Sequence, residues 1–318
     1  MRWNAVASIP WLNVTPGSGT DAGAINVSAS AAGLVAGSYT GNVVVYASAP
    51  NAPLTIPVTL TVTAGSGAPA ISQGGVITAA GYVAAVSRGA VGSLYGAGLA
   101  DATESAAIVP LPRTLAGVTV TVNGVNAPLW FVSPDQINFQ VPFETPMTGV
   151  VPVVVGKNGV PSQAVNVQVA EYAPGVFMYE RTSGVLDPIV VRPDGSIVSP
   201  SNPAVAGEIV VVYGTGLGNL TALPPTGDLS PASPVARSQA TPTITLGGVP
   251  AEVQFSGMTP GSVGLAQFNI KLPDTLPQVS ILPLVIQFGD FGSPPVNLAV
   301  RQPNESDHIV QPAAGNDR

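Results

Sequence analysis

Ser93-Leu-Tyr-Gly-Ala-Gly-Leu-Ala100 and Val211-Val-Tyr-Gly-Thr-Gly-Leu-Gly218 are one phrase written twice, 118 residues apart. The likeness extends outward from it. Val120-Thr-Val-Asn-Gly-Val-Asn-Ala127 returns as Ile244-Thr-Leu-Gly-Gly-Val-Pro-Ala251 at an offset of 124. Gln136-Ile-Asn-Phe-Gln-Val-Pro142 returns as Gln267-Phe-Asn-Ile-Lys-Leu-Pro273 at an offset of 131. Order is kept while the offset grows, as in an internal duplication whose second copy has longer loops. Each copy strings short runs of Val, Ile, Thr and aromatics between Asn-Gly, Gly-Gly, Pro-Asp and Pro-Gly turns. That pattern predicts an all-β chain of tandem immunoglobulin-like β-sandwich domains. Asn123-Gly124 and Gly247-Gly248 read as two-residue hairpin turns.

Around this duplication the sequence predicts a partial sandwich over 1–63, a linker over 64–75, and the repeats over 76–170 and 171–300. A polar tail over 301–318 carries the single histidine, His308. In the first unit Trp3–Val6, Ala24–Ala29, Tyr39–Tyr46 and Leu54–Thr63 read as strands, Gly37-Ser-Tyr-Thr-Gly41 as a turn, and Trp11 as core. Sixty-odd residues are few for a sandwich of about seven strands. The expectation is therefore that the chain is a fragment of a longer protein, with the front of this unit missing, and that its open sheet edge is suited to self-association by strand addition.

Composition narrows the chemistry. Gly and Pro number 36 and 33 in 318 residues, and only 8% are charged, against 46% hydrophobic. So much apolar material argues for packed cores rather than disorder. Net charge is −7 with ten cations in all, so no basic stripe is available for nucleic acid. Cysteine is absent, which removes disulfides and thiolate metal sites. Without a histidine in the body, Ser-His-Asp triads and imidazole metal sites are not expected either. No metal and no cofactor are predicted. No apolar run reaches the ~18 residues of a membrane span.

Several groups could carry function. Gly214-Thr-Gly-Leu-Gly218 follows a strand but precedes Asn219-Leu-Thr-Ala-Leu-Pro-Pro225, which cannot open the helix that a dinucleotide site needs. Its glycines read instead as a turn or bulge. Asp135, Glu144, Asp194, Asp228 and Glu252 are the carboxylates from which a hydrolytic pair could be drawn, yet most sit in turn contexts. Trp130 has Gln254 as its counterpart, so strand alternation places it on a wet face, with Leu129 and Phe131 inward. An exposed Trp is a candidate sugar-stacking platform or contact point, but packing against a neighbouring loop or domain is the reading preferred for it, since single exposed apolar residues are common. Gln136 and Asn138, with Gln267 and Asn269, could read a ligand or bond loop backbone. The long segments 100–116 and 219–241 are candidate binding loops.

Two resemblances add to this. Tyr213-Gly-Thr-Gly-Leu-Gly218, Leu246-Gly-Gly-Val-Pro-Ala251, Gln267-Phe-Asn-Ile-Lys-Leu-Pro273, Ser133-Pro-Asp-Gln-Ile-Asn-Phe-Gln-Val-Pro142 and Ala173-Pro-Gly-Val-Phe177 resemble the Solibacter-type uncharacterised C-terminal domain, over about 70–300. That likeness implies a secreted protein and no particular activity. Pro10-Trp-Leu-Asn-Val-Thr-Pro-Gly-Ser-Gly-Thr20 and Leu34-Val-Ala-Gly-Ser-Tyr-Thr-Gly41 are similar to the BACON module, over about 1–63. This second likeness implies glycan binding. The resulting expectation is a non-enzymatic extracellular or cell-surface module for adhesion or binding. Its partner would be a glycan or another surface protein, and the alternative role is a structural spacer.

Overall fold

The computed structural model describes residues 1–31, 37–49, 51–62 and 67–301. Residue 63, the first expected linker residues 64–66, part of the Leu34–Gly41 motif and the tail from 302, with His308, lie outside them. Among the described residues the chain is all-β, with no helix. It divides into two units, Met1–Gly67 and Ala68–Arg318.

The first unit has strands β1 (Arg2–Ala7), β2 (Leu12–Thr15), β3 (Ser18–Thr20), β4 (Asn26–Ala29), β5 (Gly37–Ala47) and β6 (Leu54–Val62). One sheet runs β3-β1-β5-β6; the other is the pair β2-β4. The short β2 and β3 were not legible as strands. Trp11 is buried, as its sequence context suggested, together with Ala5, Leu12 and Val43. Gly37–Gly41 is not a turn: it opens β5. Gly41 sits in a strand because a Cβ there would lie 2.7 Å from Ile9 Cγ2 and 3.2 Å from Trp11 Cζ2. The missing side chain makes room for the core tryptophan.

The second unit holds both repeats, each an immunoglobulin-like sandwich. In the first, one sheet is ordered Glu104–Ser105, Leu129–Val132, Gln136–Gln140, Val91–Ala97, Ala70–Thr78. The facing sheet is ordered Val125–Asn126, Val118–Val122, Gly149–Lys157, Val165–Val169, Ala85–Val86. Ala70–Thr78 corrects the expected linker, because the repeat begins at residue 70 rather than 76. Gly74-Gly75 misled as a linker signal. It marks an irregular register between Ile71 and Val76, which is what glycine inside a strand commonly does. In the second repeat Ala204–Val205 lies parallel to Val296–Arg301, just as Ala85–Val86 lies parallel to Val165–Val169. Arg301 therefore ends a strand and does not belong to a tail.

Strand alternation builds each core. Val118, Val120 and Val122 are buried on one side, with Ile137 and Phe139 facing them from the other sheet. Ile244 and Leu246 with Phe268 and Ile270 do the same in the second copy. Burying each such aromatic contributes roughly 1.5–3 kcal/mol. Both expected hairpin turns form, with positive φ at Asn123, Gly124, Gly247 and Gly248, as a type I′ turn requires.

The copies differ at one telling place. Pro128 lacks an N–H and the first copy breaks there into two short strands. Glu252 holds the matched position, and Val249–Met258 runs on as a single strand. That continuous strand joins both sheets of the second repeat into one ten-stranded sheet.

Candidate functional site

The Gly-x-Gly-Leu phrase that defines the repeats is a contact between backbones. A Cβ on Gly96 would lie 2.1 Å from the Ala70 carbonyl oxygen. On Gly216 it would lie 1.8 Å from that of Ala173, and on Gly214 2.2 Å from that of Gly175. In each copy the first glycine of the phrase, Gly96 or Gly214, lets the leading segment of that repeat pass tightly against it; Gly216 does so as well, whereas its counterpart Gly98 faces open space. No helix follows: Gly214 and Thr215 close the strand Ile209–Thr215, and Gly216 and Gly218 take positive φ just beyond it.

Thr215, the middle residue of the second phrase, is fully buried. Its hydroxyl accepts from Val91 N at 2.8 Å and donates to Gly264 O at 3.3 Å, tying the first repeat to the second. Trp130 belongs to the same junction. A Cβ on Gly264 would meet Trp130 Cη2 at 3.0 Å, and the indole is half-buried rather than free. Trp130 thus makes an inter-repeat contact, the packing preferred for it over a sugar platform, although the wet face inferred from Gln254 is not free. The reason is a bulge. Register shifts between Leu129 and Phe131, and between Val253 and Phe255 in the other copy. One extra residue swaps the faces beyond it. Phe131 and Phe255 consequently pair with Asn138 and Asn269 instead of pointing inward. Phe255 carries the Arg237 guanidinium 4.7 Å above its ring.

Gln136, Asn138, Gln267 and Asn269 form two equivalent ladders. Gln136 Nε2 donates to Asn138 Oδ1 at 2.9 Å, and Gln267 Nε2 to Asn269 Oδ1 at 2.8 Å. Ser93 Oγ also donates to Asn138 Oδ1, at 3.0 Å. These amides bond one another along the strand, and among the described residues their side chains are not joined to loop backbone.

Segment 219–241 reaches over to the first repeat. Gly227 N donates to Gln140 Oε1 at 2.7 Å. Leu111 N donates to Gly227 O at 2.8 Å. Phe143 N donates to Thr226 Oγ1 at 3.1 Å, and that hydroxyl donates to Glu144 Oε2 at 2.7 Å. The Arg88 guanidinium bonds Asn219 Oδ1. The enclosed space between Phe143 and Gly216 is only about 10 Å³. Both candidate loops therefore meet at the repeat junction. Gln140 was missed because alternation turns it outward; it is nonetheless buried, since the second repeat covers that face. Its counterpart Lys271 is one signal in the sequence that the two positions do different work.

The candidate carboxylates are dispersed among local roles. Asp135 accepts from Ser133 Oγ at 2.6 Å. Asp194 accepts from Ser196 N at 2.8 Å, a turn bond that holds its carboxyl below the ordinary range. Glu252 accepts from Gln254 Nε2 at 3.4 Å, and the Asp228 backbone closes a turn on Pro225 O. Asp101, which sequence reasoning passed over, accepts from Lys157 Nζ at 3.0 Å and Asn158 Nδ2 at 2.8 Å. Among the described residues no three His, Asp or Glu groups converge to hold a metal.

The first unit carries an open concavity of about 700 Å³, lined by Arg2, Asn4, Ser18, Thr20, Tyr46 and Ser48 along with Trp3, Gly19 and Ala47. Asn4 is paired directly with both Tyr46 and Ser18, so their side chains share one face. Tyr46 is 54% exposed. Trp3 supports this patch from beneath: its Nε1 donates to Asp21 O at 3.1 Å, and Gly19 leaves room for its ring.

No protein-family model matches the chain, and no curated protein matches it. Among solved structures it is similar to the S-layer protein SbsC, domains 4–9, at 15% identity and a TM-score of 0.21, over 95% of this chain and 39% of that one. The γ-CGTase of alkalophilic Bacillus clarkii gives 13% identity and 0.25, over 81% and 30%. The titin I9–I11 tandem gives 10% and 0.21, over 94% of each chain. The chain thus spans well under half the length of the S-layer and CGTase chains. Likenesses this weak support no step of the functional reading.

Proposed function

We propose that this chain is a non-enzymatic, extracellular or cell-surface modular β protein that acts as a binding or adhesion module, with carbohydrate as its ligand class. The concavity at Arg2, Asn4 and Tyr46 carries this reading. An exposed phenol ring offers a sugar a stacking face, while a guanidinium, an amide and hydroxyls beside it offer hydrogen bonds. It agrees with the resemblance of 1–63 to a glycan-binding module. It also moves the candidate surface away from Trp130, which the second repeat occupies. A glycan array on the intact chain, repeated with Tyr46→Ala, tests it. Retention that drops about tenfold or more in the variant supports the site. Equal binding by both proteins, or none by either, rejects it.

The alternative is a spacer that presents other domains of a longer extracellular protein. The junction at Gln140, Thr215 and Gly227 favours it, because a clasped pair of sandwiches resists bending. On that reading residual dipolar couplings from both repeats fit one alignment tensor and the array is blank.

A further inference from the structure

Sheet edges in the second unit are blunted. The larger sheets end on two-residue strands such as Glu104–Ser105, Ala85–Val86 and Ala204–Val205, or on Ala70–Thr78 with its irregular register, and the separate hairpin Met178–Thr182/Val185–Pro188 carries the charges of Glu180, Arg181 and Asp187. Such features are how proteins keep edges from pairing with other chains. β6 is different. It has nine residues, Leu54-Thr-Ile-Pro-Val-Thr-Leu-Thr-Val62, and no charged side chain. Among the described residues its only strand partner is β5.

The backbone of β6 can be oriented from its neighbours. Asn42 uses both its polar backbone groups on the Ser8 side: Asn42 N donates to Ser8 Oγ at 2.8 Å, and Ser8 N donates to Asn42 O at 2.9 Å. Asn42 faces Pro57, so this is a non-hydrogen-bonded pair of the β5–β6 ladder. Pro57 and its alternates Thr55, Thr59 and Thr61 accordingly turn their backbone groups to the open edge. Proline sits where its missing N–H costs the ladder nothing.

The side chains of β6 read nearly the same from either end of Val58. Leu54, Ile56, Val58 and Leu60 lie on the core side, opposite Val45, Val43, Gly41 and Tyr39. Thr55, Pro57, Thr59 and Thr61 lie on the other side, all exposed. The pair β2-β4 does not cover the near end of the core side, and Leu54 and Ile56 remain 52% and 41% exposed.

We propose that β6 pairs antiparallel with β6 of a second copy of this chain, about a two-fold axis at Val58. In that register Thr55 meets Thr61 of the second copy, and Pro57 meets Thr59. Every outward backbone group faces another, and only the proline donors are missing. On the core side Ile56 lies beside Leu60 of the second copy, covering the apolar end that β2-β4 leaves open. An isologous contact needs a surface that complements itself, and a palindromic strand without charge provides one. Centring on Pro57 instead would set proline against proline. Centring on Thr59 would push Thr55 past the end of the strand. One strand per copy falls well short of the about 800 Å² per partner of a stable interface. The dimer is therefore weak and concentration-dependent.

Sedimentation velocity on the intact chain between ~10 µM and ~1 mM tests the pairing, since a weak contact populates over that range. A dimer fraction that rises with concentration is expected. Thr59→Pro deletes an outward donor without touching the β5 ladder, so it should weaken the dimer at least tenfold while leaving circular dichroism and melting unchanged. A chain that stays monomeric throughout, or a folded Thr59→Pro protein that dimerises like the parent, overturns the proposal. The register is tested by oxidation in a chain with no cysteine of its own. Residues on the axis approach to about 4.5 Å between Cα atoms, within disulfide reach. Val58→Cys should cross-link to itself, and Leu54→Cys, which would face residue 62 of the second copy, should not. Cross-linking at 54 as fast as at 58, or none at 58 in a protein that still dimerises, also overturns it.

Discussion

The N-terminal unit and the tandem use the same strands and reach different degrees of closure. The tandem closes two sandwiches over cores in which Phe139, Phe268 and Phe288 are fully buried. The N-terminal unit sets a four-stranded sheet against a pair, and among its described residues the buried apolar side chains are Ala5, Trp11, Leu12 and Val43, of which only Val43 is fully enclosed. The tandem also adds a junction that neither repeat has alone, where buried Gln140 and Thr215 bond across the copies. Strand propensity alone does not make a stable sandwich. What matters is how much of each apolar face finds a cover, because burial supplies most of the driving force against chain entropy.

This comparison can be pressed at several points. Phe268→Ala should remove about 3–5 kcal/mol from the tandem. Two-probe denaturation would then bring its transition down toward that of the N-terminal unit. An unchanged tandem transition would mean its core is not the source of its advantage. Gln140→Leu leaves the Gly227 N–H without its acceptor and should cost about 1–3 kcal/mol. Exchange of the Gly227 amide should accelerate, and couplings from the repeats should no longer share one tensor. Native-state hydrogen exchange in the parent should show the β5 amides of Val43 and Val45 opening at least tenfold more often than those of Val120 and Val122, a gap of ~1.4 kcal/mol. Equal protection in a monomer would erase the contrast between the units.

The smallest effect concerns pH. The hydrogen bond from Lys157 holds the Asp101 carboxyl below its ordinary value; partial desolvation opposes this, and Asn158 reinforces it. A folded-state pKa that is depressed adds stability above the ordinary carboxylate value, lost as pH falls through the lowered one. Tandem stability should therefore decline below about pH 4 through this group. Asp101 is 54% exposed, so Asp101→Asn should cost less than about 1 kcal/mol at pH 7. Melting temperatures of parent and variant across pH 2–7 would check both the size and the direction.

The duplicated phrases, the alternation of Val118–Val122 and Ala266–Lys271, and the Asn-Gly and Gly-Gly turns were enough to write down an all-β tandem. Those features are local: a period of two and a positive φ need no knowledge of what lies across the core. Pro128 against Glu252 was equally legible, though its consequence, two strands in one copy and a single strand in the other, was not. The fate of Trp130 could not be read from the strand. A single bulged residue exchanged the faces beyond it, and the surface so presented was filled by Gly264 from the other repeat. Gly74-Gly75 and Gly37 looked like breaks because composition does not say whether a partner strand stands alongside. Whether Gln140 is outward or buried, and whether residues 219–241 form a free loop or a clasp, depended on contacts between residues about ninety apart in the chain. Sequence determined the strands and their turns; tertiary structure decided which faces were left for anything else to touch, because exposure belongs to the packed assembly and not to the residue.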